Sequence, residues 1–107
     1  MRTLKFIVDG LTLKQDPTCD FNNLTPGSED CLKAEFSFSN EWRNITKVVG
    51  FYSRLGYEYA PQLLEDGRSC QIPSEAAKRR MINIRVIGKT DEGILRTNKL
   101  TIEQKGG

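Results

Sequence analysis

Residues 32–53, LKAEFSFSNEWRNITKVVGFYS, decide the fold. Over residues 32–38 the apolar side chains occupy every second position and polar side chains lie between them, which is typical of a half-buried strand. A polar corner at residues 39–44 follows and contains the one tryptophan of the chain. The apolar run at residues 48–52 then predicts a second strand, so the stretch is a strand, a corner and a strand.

The rest of the chain repeats short alternating segments separated by turn signals. Asp9-Gly10 and Asp66-Gly67 are pairs that favour tight turns, and residues 3–13 are interpreted as a hairpin or as a bend within one edge strand. The other strand-like segments are residues 57–64, 70–72, 81–90 and 97–104. This pattern predicts an all-β fold, an Ig-like sandwich of about seven or eight short antiparallel strands. A small barrel is the alternative, because one sequence does not determine strand order.

The length of 107 residues suits one domain. We predict a single β-sandwich domain over residues 1–104 and a tail or linker at residues 105–107. Residues 15–30 have the composition of a loop, and loops of this length tend to be functional or mobile. The alternative is that Phe21 and Leu24 pin a short extra strand or turn to the core. One short helix is predicted near residues 74–80, with Ser74 as its N-cap.

Charge and hydropathy exclude several classes of protein. The chain has 16 basic and 14 acidic residues, a net charge of +2, so we do not expect direct nucleic-acid binding or mimicry of DNA charge. No apolar run approaches the roughly 20 residues that a membrane helix needs, and we therefore expect a soluble chain without a membrane partner.

The residue types needed for catalysis are sparse. The chain has no histidine, which removes the usual general base and the commonest metal ligand. The adjacent acids at residues 29–30 and 91–92 lie in predicted turns and are expected to be solvated. No Walker A motif, GxGxxG motif or metal-spaced cysteine pair occurs. We predict no catalytic residue, no metal, no cofactor and no enzymatic activity.

The three cysteines are Cys19, Cys31 and Cys70. An odd number cannot pair completely within one chain, and a bridge between Cys19 and Cys31 stays open. Cys70 lies in an apolar alternation and is predicted to be a packed thiol rather than a reactive one.

Two clusters are candidates for contact with a partner protein. The basic run at residues 78–80 either complements the helix end or forms a binding patch, and two tyrosines with a nearby arginine form either core packing or a recognition surface. The candidate partner-binding residues are Lys78, Arg79, Arg80, Arg54, Tyr57 and Tyr59. Trp42 is predicted to fold its ring over one end of the core, with surface binding as the alternative.

Four segments, taken in order, resemble a known family. They are LKAEFSFSNEWRNITKVVGFY at residues 32–52, CQIPSEAAKRR at residues 70–80, MINIRVIGKT at residues 81–90 and RTNKLTIEQKGG at residues 96–107. Together they resemble the small Ig-like β-sandwich domain of structural proteins in phages and prophages of Firmicutes, which belong to baseplate, tail or capsid-associated gene clusters. The resemblance covers about residues 32–107.

The resemblance implies a non-enzymatic, phage-encoded protein-binding module that is a structural or adhesion domain of the virion. In longer relatives such a module precedes further domains, whereas this chain stops at Gly107 and is either free-standing or a fragment. The alternative is a small phage inhibitor of a bacterial defence system, of the anti-CRISPR type, that binds a Cas nuclease or its complex. The expected partner is therefore a virion component or a host defence nuclease, and the expected location is the virion or the bacterial host cytoplasm. The oligomeric state is left open.

Overall fold

A computed structural model describes residues 2–22 and 32–104. These residues contain nine strands, one short α-helix and a 3₁₀ turn at Asn40–Trp42. The elements are β1 (Arg2–Asp9), β2 (Thr12–Gln15), β3 (Leu32–Phe38), β4 (Thr46–Tyr52), β5 (Gln62–Leu63), β6 (Ser69–Gln71), α1 (Ser74–Ala77), β7 (Met81–Thr90), β8 (Gly93–Arg96) and β9 (Leu100–Glu103). The all-β prediction is confirmed.

The strands form two sheets. The first sheet has the order β2-β1-β3-β6, and the second has the order β5-β4-β7-β8, with β9 also paired to β7. The apolar positions of both sheets face a shared core, so the fold is a sandwich with one short helix at the end of β6, as the sequence predicted.

One strand pair departs from the antiparallel pattern, because β1 and β3 run parallel. Strand β2 runs antiparallel to β1, and the chain after β2 continues toward the N-terminal end of β1. There the backbone N–H of Asp16 donates to the carbonyl oxygen of Lys5. Further along, the guanidinium of Arg2 donates to the carbonyl oxygens of Asp20 and Asn22. The chain is thereby carried back toward the beginning of β1, and β3 can follow β1 in the same direction.

The other differences from the prediction are local. Strand β8 begins at Gly93, in a predicted turn, and continues through residues 94–96, for which the sequence predicted no strand. The predicted strand around Pro61 reduces to β5 and a single bridge between Tyr52 and Glu58. The helix is shorter than predicted. Ser74 is its first residue and not its N-cap, since Pro73 holds that position without a side-chain hydrogen bond.

The core is built from alternate residues of both sheets. The rings of Phe6 and Phe36 stack with centroids 5.2 Å apart, and Phe21 meets Phe6 edge-on at 5.4 Å. Phe21 therefore pins the segment after β2 to the core, which was one of the two alternatives. Leu24, Cys31 and the tail at residues 105–107 lie outside the described residues. The fully buried large side chains are Trp42, Phe6, Phe36, Phe51, Leu4, Leu13, Ile82, Ile84, Ile102, Val8 and Val49.

The 3₁₀ turn places Trp42 at one end of this core. Its side chain is fully buried, and its indole Nε1 donates to the carbonyl oxygen of Gly10 at 2.7 Å. The hydroxyl of Ser39 accepts the backbone N–H of Gly10 at 2.9 Å, so the corner and the β1–β2 turn are tied together. The prediction that the indole ring folds over the core is confirmed.

The side chain of Asn98 covers the outer edge of β2. Its Oδ1 accepts the backbone N–H of Leu13 at 2.7 Å, and its Nδ2 donates to the Leu13 carbonyl oxygen at 3.1 Å. One amide thus imitates the two hydrogen bonds that a further strand would make. Unpaired strand edges promote pairing with other chains, and this contact closes that edge locally.

We expect Asn98→Ala to lower the free energy of unfolding by about 1–2 kcal/mol, because the Leu13 backbone groups lose their partners. Urea denaturation followed by circular dichroism measures the change. Lys14→Ala is the matched control, since Lys14 is exposed on the same strand. Equal stability of the two variants would show that water replaces the Asn98 amide without cost.

Candidate functional site

A groove of about 850 Å³ opens at one end of the sandwich. One wall is the turn after β4, and the other is α1 with the residues that follow it. The register of the second sheet explains their meeting, because Tyr52 at the end of β4 pairs with Asn83 near the start of β7. The lining residues are Ser53, Arg54, Leu55, Tyr57, Tyr59, Glu75, Arg79, Arg80, Met81 and Glu103.

Most of the candidate residues named from the sequence meet in this groove. Arg54, Tyr57 and Tyr59 come from the first wall, and Arg79 and Arg80 come from the second. Lys78 is exposed on the segment after the helix but is not part of the lining. Two clusters that are 20 residues or more apart in the sequence therefore form one surface.

The first wall is a tight turn held by Ser53. Its backbone N–H donates to the Tyr57 carbonyl oxygen at 2.8 Å, and the Gly56 N–H donates to the Ser53 carbonyl oxygen at 3.0 Å. The Ser53 hydroxyl also accepts the N–H of Tyr57 at 3.0 Å. Gly56 has a φ of 89°, which a side chain would disfavour. The turn projects Leu55 into solvent with 94% of the residue exposed.

The two tyrosines of the turn have different roles. Tyr59 is 6% exposed and belongs to the hydrophobic core, whereas Tyr57 is 65% exposed. Their rings pack edge to face with centroids 5.3 Å apart. Tyr59 therefore belongs to the core packing, which was the alternative interpretation of the tyrosines. Its buried ring is the surface against which the Tyr57 ring packs.

The second wall is attached to β9 by the buried side chain of Gln104. Its Nε2 donates to the carbonyl oxygens of Ala77 at 2.8 Å and Arg79 at 2.7 Å, and its backbone N–H donates to that of Arg80 at 2.7 Å. These bonds hold the backbone that carries both arginines. The backbone is therefore ordered while the side chains stay at the surface.

The groove arginines have no ion-pair or hydrogen-bond partner among the residues that the structure describes. In residues 2–22 and 32–104 the one ion pair joins Arg68 to Glu35 at 3.7 Å. Across the same residues, no hydrogen bond involves the guanidinium of Arg54, Arg79 or Arg80. This is so although two glutamates line the same groove.

Sequence reasoning missed several residues of the groove. Leu55 was overlooked because a single apolar residue in a turn does not contribute to an alternating pattern, although its position before Gly56 was a usable signal. Glu75 was assigned only to the helix. Met81 and Glu103 pair across β7 and β9, and their place in the groove depends on that register.

Other titratable groups lie away from the groove. Burial, with a contribution from the Asp66 carboxylate, raises the pKa of the Cys70 thiol to about 12, and Cys70 packs against the core as predicted. Hydrogen bonds from the Ser69 hydroxyl and nearby backbone N–H groups hold the pKa of Asp66 well below its usual range. Burial lowers the pKa of Lys47, whose Nζ lies 5.0 Å from the ring centroid of Phe38.

Metal sites and membrane-spanning helices can be judged only for the described residues. Among the described residues, no group of three or more His, Cys, Asp or Glu side chains could hold a metal ion. No helix within residues 2–22 and 32–104 combines the length and the apolar composition required to cross a membrane. Cys19 is half-buried and its Sγ accepts the Lys5 N–H at 3.3 Å, but the bridge considered for it involves Cys31, which is not described.

No model of a known protein family, no curated protein and no solved structure matches this chain. The fold and the groove define the class on their own. The chain is an all-β sandwich with an arginine- and tyrosine-lined groove at one end.

Proposed function

We propose that this chain is a non-enzymatic protein-binding module that contacts its partner through the groove. The observation that supports this most directly is the pair Leu55 and Tyr57, which are exposed on a turn that Ser53 holds in one conformation. Tyrosine and arginine are common anchors of protein interfaces, and Leu55 adds exposed apolar area beside them. An ordered turn also loses little conformational entropy when a partner binds.

The chemistry of the groove suits recognition better than reaction. Its ionisable side chains are three arginines, two glutamates and two tyrosines. Arginine stays charged under all physiological conditions, and its planar guanidinium serves binding rather than proton transfer. The groove is therefore a contact surface in this proposal.

The setting that we propose first is a phage particle, in which the module is a structural or adhesion domain. The sequence resemblance described above motivates this setting. The second setting is the bacterial cytoplasm, where the chain would bind a defence nuclease. An inhibitor of this kind needs only a surface that is complementary to the nuclease. Arg54, Arg79 and Arg80, which lie together in the groove, provide a charged surface for such a contact.

Two measurements distinguish the settings. Mass spectrometry of purified particles should detect the chain in stoichiometric amounts if it is a virion component. Affinity purification with a Cas effector should retain it if it is an inhibitor. Absence from both preparations would reject both settings.

The groove itself is tested by the double variant Leu55→Ser with Tyr57→Ser. We expect association with particles or with the effector to weaken by more than about tenfold, since each anchor contributes over about 1 kcal/mol. The matched control is Leu63→Ser, because Leu63 is also an exposed leucine, at 51%, but lies on β5 outside the groove. Thermal melting confirms that all variants fold. Equal association of the double variant and the control would disprove docking through the groove.

A further inference from the structure

We propose that the segment that occupies the groove is acidic, with carboxylates that meet the three arginines and an apolar side chain that packs on Leu55 and Tyr57. This inference rests on the proposed function, because it names the chemistry of the partner at the same surface.

The charge of the partner follows from the guanidinium groups of the groove. Arg54, Arg79 and Arg80 are without ion pairs among the described residues and face water. A charge that is covered by a partner loses hydration, and the loss is costly unless an opposite charge replaces the water. A partner that fills the groove must therefore bring anions. Carboxylates match the planar fork of arginine in a bidentate arrangement.

The carboxylates of a protein suit the groove better than the phosphates of a nucleic acid. Glu75 and Glu103 line the groove together with the arginines, and the whole chain carries a net charge of only +2. Nucleic-acid sites present broad surfaces of one positive sign. Leu55 at the rim adds exposed apolar area, which a phosphate backbone does not match. A peptide segment supplies both carboxylates and an apolar side chain.

The groove has a defined size and two ordered walls. A groove of about 850 Å³ lies within the range of roughly 300–1,000 Å³ that is usual for small-ligand sites, so it accepts a short segment. Both walls are ordered, one by Ser53 and the other by Gln104. The backbone that carries the arginines is thus fixed, which favours binding of the partner's carboxylates at defined positions.

The test is an NMR titration of the ¹⁵N-labelled chain with two synthetic peptides. In one, a Leu-Phe pair is flanked on each side by Glu-Glu, and in the other each Glu is replaced by Gln. We expect the acidic peptide to shift the amide signals of residues 53–59 and 75–81 and to bind at least about tenfold more tightly than the Gln peptide. Higher salt should reduce this difference.

The variant Arg79→Gln with Arg80→Gln should reduce affinity for the acidic peptide about tenfold or more. Arg68→Gln is the matched control and should leave it unchanged, since Arg68 pairs with Glu35 outside the groove. A single-stranded oligonucleotide serves as the competing anion and should not displace the peptide.

Each contrary outcome has a distinct meaning. Equal binding of the Gln peptide, absence of shifts with both peptides, or preference for the oligonucleotide would overturn the acidic-segment inference. The proposed function would still stand if the Leu55 and Tyr57 double variant lost its partner. It would fail only if that variant kept its partner.

Discussion

Trp42→Ala is expected to lower the free energy of unfolding by about 3–5 kcal/mol, which is the usual cost of removing a large aromatic side chain from a core. The ring is fully buried, and its centroid lies 5.5 Å from that of Phe38. Truncation also leaves the Gly10 carbonyl oxygen without the indole N–H. Since small domains are stable by about 5–15 kcal/mol, this loss is a large fraction of the total stability.

Urea denaturation followed by circular dichroism measures this effect, because the variant lacks the only tryptophan. Tyr57→Ala is the matched control, an aromatic truncation at an exposed site, and should cost less than about 1 kcal/mol. Trp42→Phe should lie between the two, since it keeps most of the ring volume and loses the hydrogen bond. A cost for Trp42→Ala no larger than that of the control would contradict the role of this ring in joining the corner to the core.

Gly88→Ala is the second large effect, with an expected loss of about 2–3 kcal/mol from overpacking. A Cβ atom at this position would lie 2.7 Å from Cζ3 of Trp42 and 2.9 Å from Cγ2 of Ile45. The indole ring cannot move aside freely, because its Nε1 is bonded to Gly10. The φ of Gly88 is not in the left-handed region. The loss of stability would therefore come from the steric clash of the Cβ atom and not from backbone strain.

Gly50→Ala is the matched control within β4. A Cβ atom there would clash with the side chain of Tyr52. The Tyr52 ring is only partly buried and can rotate outward to relieve the clash. This rotation would break its contact with the Lys99 ammonium, whose Nζ lies 4.3 Å from the ring centroid. We expect a cost clearly below that of Gly88→Ala. Combining Gly88→Ala with Trp42→Ala should cost less than the sum, as expected for residues in contact. Additive costs, or the reverse ranking of the two glycines, would reject this explanation.

The sequence predicted those parts of the fold whose burial pattern is local. Strands β3 and β7 alternate cleanly, and their inward residues are buried as the period of two requires. Strand β8 was missed because its residues are mostly exposed and do not alternate. The parallel pairing of β1 with β3 depends on the path of a long connection, which no local pattern specifies.

The candidate site could be predicted only in part for the same reason. Arginine and tyrosine were recognisable as interface residue types, but the pairing of Tyr52 with Asn83 is what brings their two segments together. Ser53 and Gln104 act through hydrogen bonds that have no signature in composition. The exposure of Leu55 depends on the shape of the turn, which the hydrogen bonds of Ser53 determine and the residue pattern does not specify.

The amide contact between Asn98 and Leu13 joins residues 85 positions apart. Proteins are synthesised from the N-terminus, so β2 leaves the ribosome long before the residue that covers it. Until then the nascent chain exposes a bare strand edge, a feature that makes incomplete chains prone to aggregation. The edge of β2 can therefore be covered in the native way only after Asn98 has left the ribosome.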